Sequence, residues 1–145
     1  MNTNLKSPFL LSSKLAKHCA ENKLNANIIN ISSVHAERST EIMSAYAASK
    51  AALENFTRVA SIEWAPSIRV NSIAPGFTLT ERNSDAFEEN KSEWLNYIPL
   101  GRYGETEDIG RLAVFLSSDA SSWITGQSIV IDGGTSARIF FPLRD

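Results

Sequence analysis

The sequence predicts an α/β domain built on a parallel sheet, and two observations lead there, while a third limits what its first half can bind. Short β-branched runs recur at Ile28, Ile29 and Ile31, at Ile68, Val70 and Ile73, and at Ile129, Val130 and Ile131. The stretches between them are long enough for helices and have helical periodicity, as parallel neighbours require of their crossovers. All seven glycines lie from Gly76 onward, so no glycine-rich turn that closes on a phosphate can form in the first 75 residues.

Taken in order, Ser7 reads as a helix N-cap with Pro8 at the first helical position. Leu11, Leu15 and Cys19 then recur at every fourth place, with Lys14, Lys17 and Glu21 on other faces. The polar stretch from Asn22 to Asn27 ends this helix and leads into the first strand. After a polar loop over 32–44, a second helix is expected from about Ala45 to Trp64, with Ala48, Ala52, Phe56 and Ala60 in one apolar line. Small residues on that line suit it to close helix packing or a subunit surface. Pro66 stops the helix. Ile68, Val70, Ile73 and Ala74 form the second strand, closed by Pro75-Gly76. The polar region 77–102 is expected to be mobile, with a short helix from Asp85 to Trp94. Thr106 is expected to cap a further helix, with Glu107 and Asp108 in its first turn and Ile109, Leu112, Ala113 and Leu116 on its buried face. The third strand ends at Asp132-Gly133-Gly134.

Composition narrows the function. With 145 residues, 43% hydrophobic and 21% charged, the chain can fill the core of one domain. Fourteen basic residues against sixteen acidic ones leave a net charge of −2, with no concentrated basic stripe for nucleic acid. No apolar run reaches bilayer-spanning length, and Met1 to Ser13 makes a poor secretory signal. A lone cysteine, Cys19, points to a reducing cytoplasm, and two histidines with one cysteine give no ligand set for zinc.

Tyr46 and Lys50 are the sharpest chemical pair. Four positions apart near a helix start, they share one face. A neighbouring ammonium favours phenolate, lowering a pKa that is otherwise about 10, so such a tyrosine can exchange a proton with a carbonyl or alcohol oxygen. The spacing alone equally fits a surface tyrosine beside a solvated lysine. Position adds weight: Ser32 and Ser33 follow the first strand and Pro75-Gly76 the second, at the rim where open α/β sheets place their ligands. Other residues have plainer readings. Ser33 and His35 lack the Gly-x-Ser-x-Gly setting of a nucleophile. His18 points outward and Cys19 packs; Trp64, Trp94 and Trp123 are packing anchors; Glu88 and Glu89 lie on a solvated face; Asp132 closes the last strand and turns the chain.

Ser33, the run Tyr46-Ala47-Ala48-Ser49-Lys50, the run Arg69-Val70-Asn71-Ser72-Ile73-Ala74-Pro75-Gly76, and the ending from Gly126 to Gly134 together resemble the short-chain dehydrogenase/reductase family. The likeness extends from Asn4 to about Gly134. It implies an NAD- or NADP-dependent oxidoreductase that moves hydride between the nicotinamide and a ketone or secondary alcohol. By that resemblance Tyr46 is the general acid/base and Lys50 tunes it while hydrogen-bonding the nicotinamide ribose. Ser33 orients the substrate oxygen, and Asn4 matches the position that holds a proton-relay water. Pro75, Gly76, Thr78 and Thr80 lie along the cofactor, the backbone at Thr78 facing its carboxamide. Residues 79–100 fall where the family has its substrate lid.

The resemblance also implies what this chain lacks. Complete members open with two further βα units, including the glycine-rich turn and the residue that selects NAD or NADP. Residues 1–145 are therefore expected to be the carboxyl-terminal, catalytic part of one Rossmann-like, doubly wound sheet. An apolar strand edge beside Ile28 to Ile31 should then be exposed, and NAD or NADP should bind the chain alone weakly or not at all. The stretch Ala65-Pro66-Ser67-Ile68-Arg69 is one residue shorter than the family's usual link and lacks its glycine, which predicts a tightened turn. Association between copies is expected through the helices at 8–22 and 45–64. The alternative is a non-enzymatic remnant acting by oligomerisation or by association with a full-length relative. Sugar, steroid, polyol and 3-oxoacyl substrates all remain open.

Overall fold

The computed structural model describes residues 1–137. Three strands, β1 (Ala26–Ile31), β2 (Ile68–Pro75) and β3 (Ser128–Ile131), form one sheet in the order β1-β2-β3. Both pairings are parallel, with Ile31 opposite Ile73 and Pro75 opposite Ile131. The class read from the sequence is the one observed. Each strand is slightly longer than its β-branched run, because pairing continues into small and polar residues such as Ala26, whose N–H reaches Ser67 O at 3.0 Å.

Helix α1 (Ser7–Asn22) differs from expectation at its start. Ser7 does not cap it: a π-turn over Asn2–Lys6 runs straight into the helix, and Ser7 itself has helical backbone angles, φ −65° and ψ −50°. An N-cap needs extended backbone, so the Ser7 hydroxyl instead donates back to Asn2 O at 3.1 Å. Cys19 is buried and His18 exposed, as read.

Helix α2 (Ser44–Glu63) turns a different line inward from the alanine line. Ser49, Leu53, Thr57 and Ala60 are buried, whereas Ala52 and Phe56 are half-buried and Ala48 is exposed. The polar members of that line are satisfied locally. Thr57 Oγ1 donates to Leu53 O at 2.9 Å and accepts from Asn30 Nδ2 at 2.9 Å, tying the helix to β1. Phe56 packs at the flank between Phe9 and Trp64, with ring centroids 5.2 and 5.8 Å away. Between α2 and β2 the chain turns tightly, as the shortened link predicts: Ile68 N–H reaches Trp64 O at 3.0 Å, and the Ala65–Pro66 peptide is cis. Ala16, Cys19, Ile28, Ala60, Ile68 and Val70 fill the core on this side of the sheet.

The expected helix over 85–94 breaks at Asn90 into α3 (Ser84–Glu89) and α4 (Lys91–Trp94). Asn90 leaves the helical range at φ −101° and ψ 12°, and its Nδ2 donates to Ala86 O. An aromatic cluster ties this segment down: Phe87 packs on Trp94 and Tyr103, Phe77 packs on both Phe87 and Trp94, and Tyr103 Oη donates to Phe87 O at 3.0 Å.

Helix α5 (Thr106–Ser117) is capped by Glu105 rather than Thr106. Asp108 reaches back to accept from Glu105 N–H at 2.9 Å, which moves the capping position one residue earlier. Of its expected face only Leu116 is fully buried; Ile109, Leu112 and Ala113 are half-buried. The helix end is held by side chains of the strands: Arg69 donates to Leu116 O, Ser118 O and Ile124 O at 2.9, 3.3 and 3.1 Å, and Asn27 Nδ2 also donates to Leu116 O. Trp123, next to Ile124, is 99% exposed, so it is not the packing anchor expected. Among the described residues no helix is long and apolar enough to cross a membrane, and no cluster of His, Cys, Asp or Glu could hold a metal.

A pH test follows from the α5 cap. The Arg102 guanidinium contacts both Asp108 oxygens, at 2.7 and 3.1 Å. Those bonds and the Glu105 amide hold the Asp108 carboxyl at about 2, below its ordinary 3.8. A carboxyl depressed by folding stabilises above its unfolded pKa, and the contribution is lost as pH falls through the folded value. Thermal unfolding of an Asp108→Asn variant should therefore show a shallower loss of stability between about pH 4 and pH 2 than the parent. Parallel curves would contradict this.

Candidate active site

Because the strands are parallel, residues 32–33, 76–80 and 132–134 emerge at one rim of the sheet. Ser33 leaves β1 in extended backbone, φ −167° and ψ 153°, and a 3₁₀ turn over Val34–Ala36 follows at once. The Ser33 hydroxyl is buried and accepts from His35 N–H at 3.2 Å. The His35 imidazole turns to Tyr46, edge-on with centroids 6.0 Å apart, and its Nδ1 is buried without a hydrogen-bond partner. His35 is therefore the link between Ser33 and Tyr46. It lies within the polar loop expected over 32–44.

Tyr46 occupies the first turn of α2 and is half-buried. One turn on, Lys50 Nζ lies 5.7 Å from the centroid of its ring. The ammonium also donates to Ile31 O, the last carbonyl of β1, at 2.6 Å. Burial lowers the Lys50 pKa from its usual value. Asn4 reaches the same helix from the π-turn: its Nδ2 is 3.5 Å from Ser49 Oγ, which in turn donates to Tyr46 O at 2.6 Å. Asn4 and Lys50 together line a groove of about 590 Å³ between α1 and β1. Asn4, Tyr46 and Lys50 thus gather around one face of α2, with Ser33 joined through His35.

The second group of candidates sits past β2. Pro75 ends the strand, and Gly76 N–H donates to Ile131 O at 3.0 Å. A Cβ on Gly76 would lie 2.5 Å from Asp132 Cβ and 2.9 Å from its Cα, so close strand packing requires glycine here. Gly76→Ala should lower stability by roughly 1–3 kcal/mol, the usual range for overpacking. Urea unfolding measures this, and an unchanged midpoint would show that the two rims can part. Thr78 Oγ1 donates to Gly76 O at 3.3 Å, and Thr78 O accepts from Asn83 Nδ2 at 2.9 Å. Asn83 Oδ1 accepts from Thr80 N–H at 2.7 Å, so one asparagine organises both threonines. Nothing in the local sequence pattern marked Asn83 for that part. Asp132 turns the chain as read, accepting from Gly134 and Ser136 N–H at 2.9 and 2.6 Å. Burial opposes its ionisation, but these bonds outweigh it and hold the carboxyl below its ordinary range.

Residues 1–136 match the family model described as enoyl-(acyl carrier protein) reductase. The chain is 41% identical over 135 residues to the 3-oxoacyl-(acyl-carrier-protein) reductase of Chlamydia pneumoniae, which covers 92% of this chain and 54% of that protein. It is 39% identical over 141 residues to the 2-dehydro-3-deoxy-D-gluconate 5-dehydrogenase of Escherichia coli, covering 95% of this chain and 56% of that one. Among solved structures, a gluconate 5-dehydrogenase from Burkholderia cenocepacia in complex with NADP and tartrate superposes with a TM-score of 0.88 at 33% identity, over 96% of this chain and 55% of that one. A 4-hydroxyisoleucine dehydrogenase complexed with NADH gives 0.90 at 36% identity, over 95% and 58%. The chain spans about half the length of the curated relatives it matches. With its parallel sheet, its Tyr46–Lys50 helix face and these matches, the chain belongs to the short-chain dehydrogenase/reductase family.

Proposed function

We propose that this chain provides the catalytic face of an NAD(P)-dependent oxidoreductase acting on a ketone or secondary alcohol. The observation that carries this reading is the Lys50 ammonium 5.7 Å from the Tyr46 ring at the carboxyl rim of a parallel sheet. Relatives in complex with NADP and with NADH support the cofactor class. The residues present fit one end of such a cofactor. Lys50 has three ammonium donors and spends one on Ile31 O, leaving others for ribose hydroxyls. No glycine precedes Gly76, so residues 1–75 offer no tight glycine loop for a pyrophosphate, and binding by the chain alone should be weak.

When bound, the nicotinamide supplies or accepts hydride at the substrate carbon. Tyr46 Oη gives its proton to the substrate oxygen in reduction and takes one in oxidation. Ser33 Oγ orients that oxygen, Asn4 supports a proton-relay water, and Pro75, Gly76, Thr78 and Thr80 line the cofactor. Residues 79–100 form the lid, held by the Phe77, Phe87, Trp94 and Tyr103 cluster. The small-molecule substrate is selected there and in the loop over 34–45. We place the protein in the cytoplasm, consistent with its single buried thiol, Cys19.

Fluorescence titration with NADH and NADPH tests the cofactor site. Weak binding is expected, weakened further by Lys50→Met. Affinity indifferent to that substitution would remove Lys50 from the site. A second reading, association through the helices at 8–22 and 45–64, draws support from exposed Phe9, Leu10, Leu11 and Leu15 on α1 and Val59 and Ile62 on α2. A homo-oligomer formed that way, or a non-enzymatic partner of a full-length relative, would be disrupted by Leu11→Glu with Ile62→Glu. Light scattering that shows no change in mass would exclude it.

A further inference from the structure

Glu54 is the one fully enclosed charged side chain among the described residues, 3% exposed, and the proposed chemistry gives it no task. It follows Tyr46 and Lys50 by one further turn of α2, so the three share a face of that helix. A buried carboxylate is costly unless it is paired or hydrogen-bonded. Glu54 nevertheless makes no ion pair with any described residue. It shares with Ser33 a cavity of about 10 Å³, with Val34 and Ala74 as apolar walls. Ser136 and the exposed Glu37 and Arg38 also line it. That is the room of a single water, which is held only where it finds two or more polar partners.

We propose that this cavity binds one water between Glu54 and Ser33, and that Glu54 acts through it as a positioning residue for the Ser33 hydroxyl. A hydroxyl has one hydrogen to donate and two lone pairs that accept. Ser33 Oγ already accepts from His35 N–H at 3.2 Å. An ionised carboxyl group only accepts, so a water beside Glu54 gives it one hydrogen. The other hydrogen of that water goes to the second lone pair of Ser33 Oγ. With both lone pairs filled, the Ser33 hydrogen has one direction left, out of the cavity towards the rim. A hydroxyl held that way meets the oxygen of a ketone or an alcohol as a donor, whichever way the reaction runs. That use rests on the reading of Ser33 given above, whereas the water and the direction of the hydrogen do not.

Two measurements on the full chain test this. In solution, a resident water gives a nuclear Overhauser cross peak between the water resonance and the Ala74 methyl group, which lines the cavity. The Ser33 and Ser136 hydroxyls exchange with water and can imitate that signal. Glu54→Leu separates the two sources, because it fills the space and removes the acceptor while both hydroxyls stay. An apolar group of similar volume commonly replaces a buried charge without loss of the fold. The cross peak should be present in the parent and lost in Glu54→Leu. Its absence from the parent, or its persistence in the variant, would overturn the water site.

Neutron diffraction from crystals grown in D₂O tests the direction. The parent should show a water whose deuterons point to Glu54 and to Ser33 Oγ, with a single Ser33 deuteron facing the rim. Glutamine keeps the shape of Glu54 but adds a donor, so the water can turn round. In Glu54→Gln the Ser33 deuteron should therefore split between rim and cavity. The Arg38 guanidinium on Glu54 in place of the water, or a deuteron on the carboxyl group itself, would overturn the proposal. One rim-facing Ser33 position in both proteins would do the same for the positioning step. Should either variant not fold, the neutron map of the parent decides alone. Neither readout uses turnover, so failure of the oxidoreductase reading shows separately, in the cofactor titration.

Discussion

In a complete form that reduces a ketone as proposed, replacing Tyr46 by phenylalanine is expected to cut turnover by roughly 10²–10⁴-fold, the usual share of a positioned acid/base. The substitution removes one oxygen and keeps the ring that His35 meets edge-on at 6.0 Å, so α2 and the turn after Ser33 should keep their places. Cofactor affinity should change little, since Lys50 remains one helical turn away. The measurement is NADPH consumption in the presence of a 3-oxoacyl thioester, compared with fluorescence titration of the same variant. The relatives named as 3-oxoacyl reductases make that substrate a sensible first choice. Turnover retained by the variant would take Tyr46 out of the reaction. Loss of cofactor binding together with turnover would make its role structural.

The largest effect on stability is expected at Arg69. Its guanidinium donates to three backbone carbonyls, Leu116, Ser118 and Ile124, joining β2 to the end of α5 and the loop before β3. Methionine keeps much of the stem and gives none of those bonds. Bonds to a charged donor contribute about 1.5–3 kcal/mol each, and they share one side chain, so Arg69→Met should cost about 3 kcal/mol or more. Asn71 holds the same Ile124 carbonyl at 2.9 Å and should keep part of the loop in place. Urea unfolding measures the difference. A loss below about 1 kcal/mol would mean that water replaces the guanidinium without penalty.

Where the sequence was legible, the reason was local. Ile28, Ile68 and Ile129 mark strands because β-branched runs suit a pleated, buried surface, and the helical lengths between them require parallel pairing. Tyr46 and Lys50 share a face because helix geometry depends only on spacing. The misreadings all involved partners distant in the chain or a backbone group. The Glu105 cap depended on Asp108 turning back. Trp123 is solvated, next to a backbone carbonyl at Ile124 that Arg69, some fifty residues earlier, holds. The Lys50 bond to Ile31 O could not be inferred at all, since a carbonyl is common to every residue.

The exposed Trp123 also gives the molecule a built-in optical filter. The three indoles occupy three environments: Trp64 half-buried against Phe56 at the flank of the core, Trp94 among Phe77 and Phe87, and Trp123 in water. Iodide, which quenches by collision, should extinguish the red-shifted Trp123 emission first and leave the other two. What remains is blue-shifted light whose changes report, through Trp94, on the segment proposed as the lid, against the background of Trp64. Rearrangement of that segment could then be followed in the unmodified protein, with no label attached.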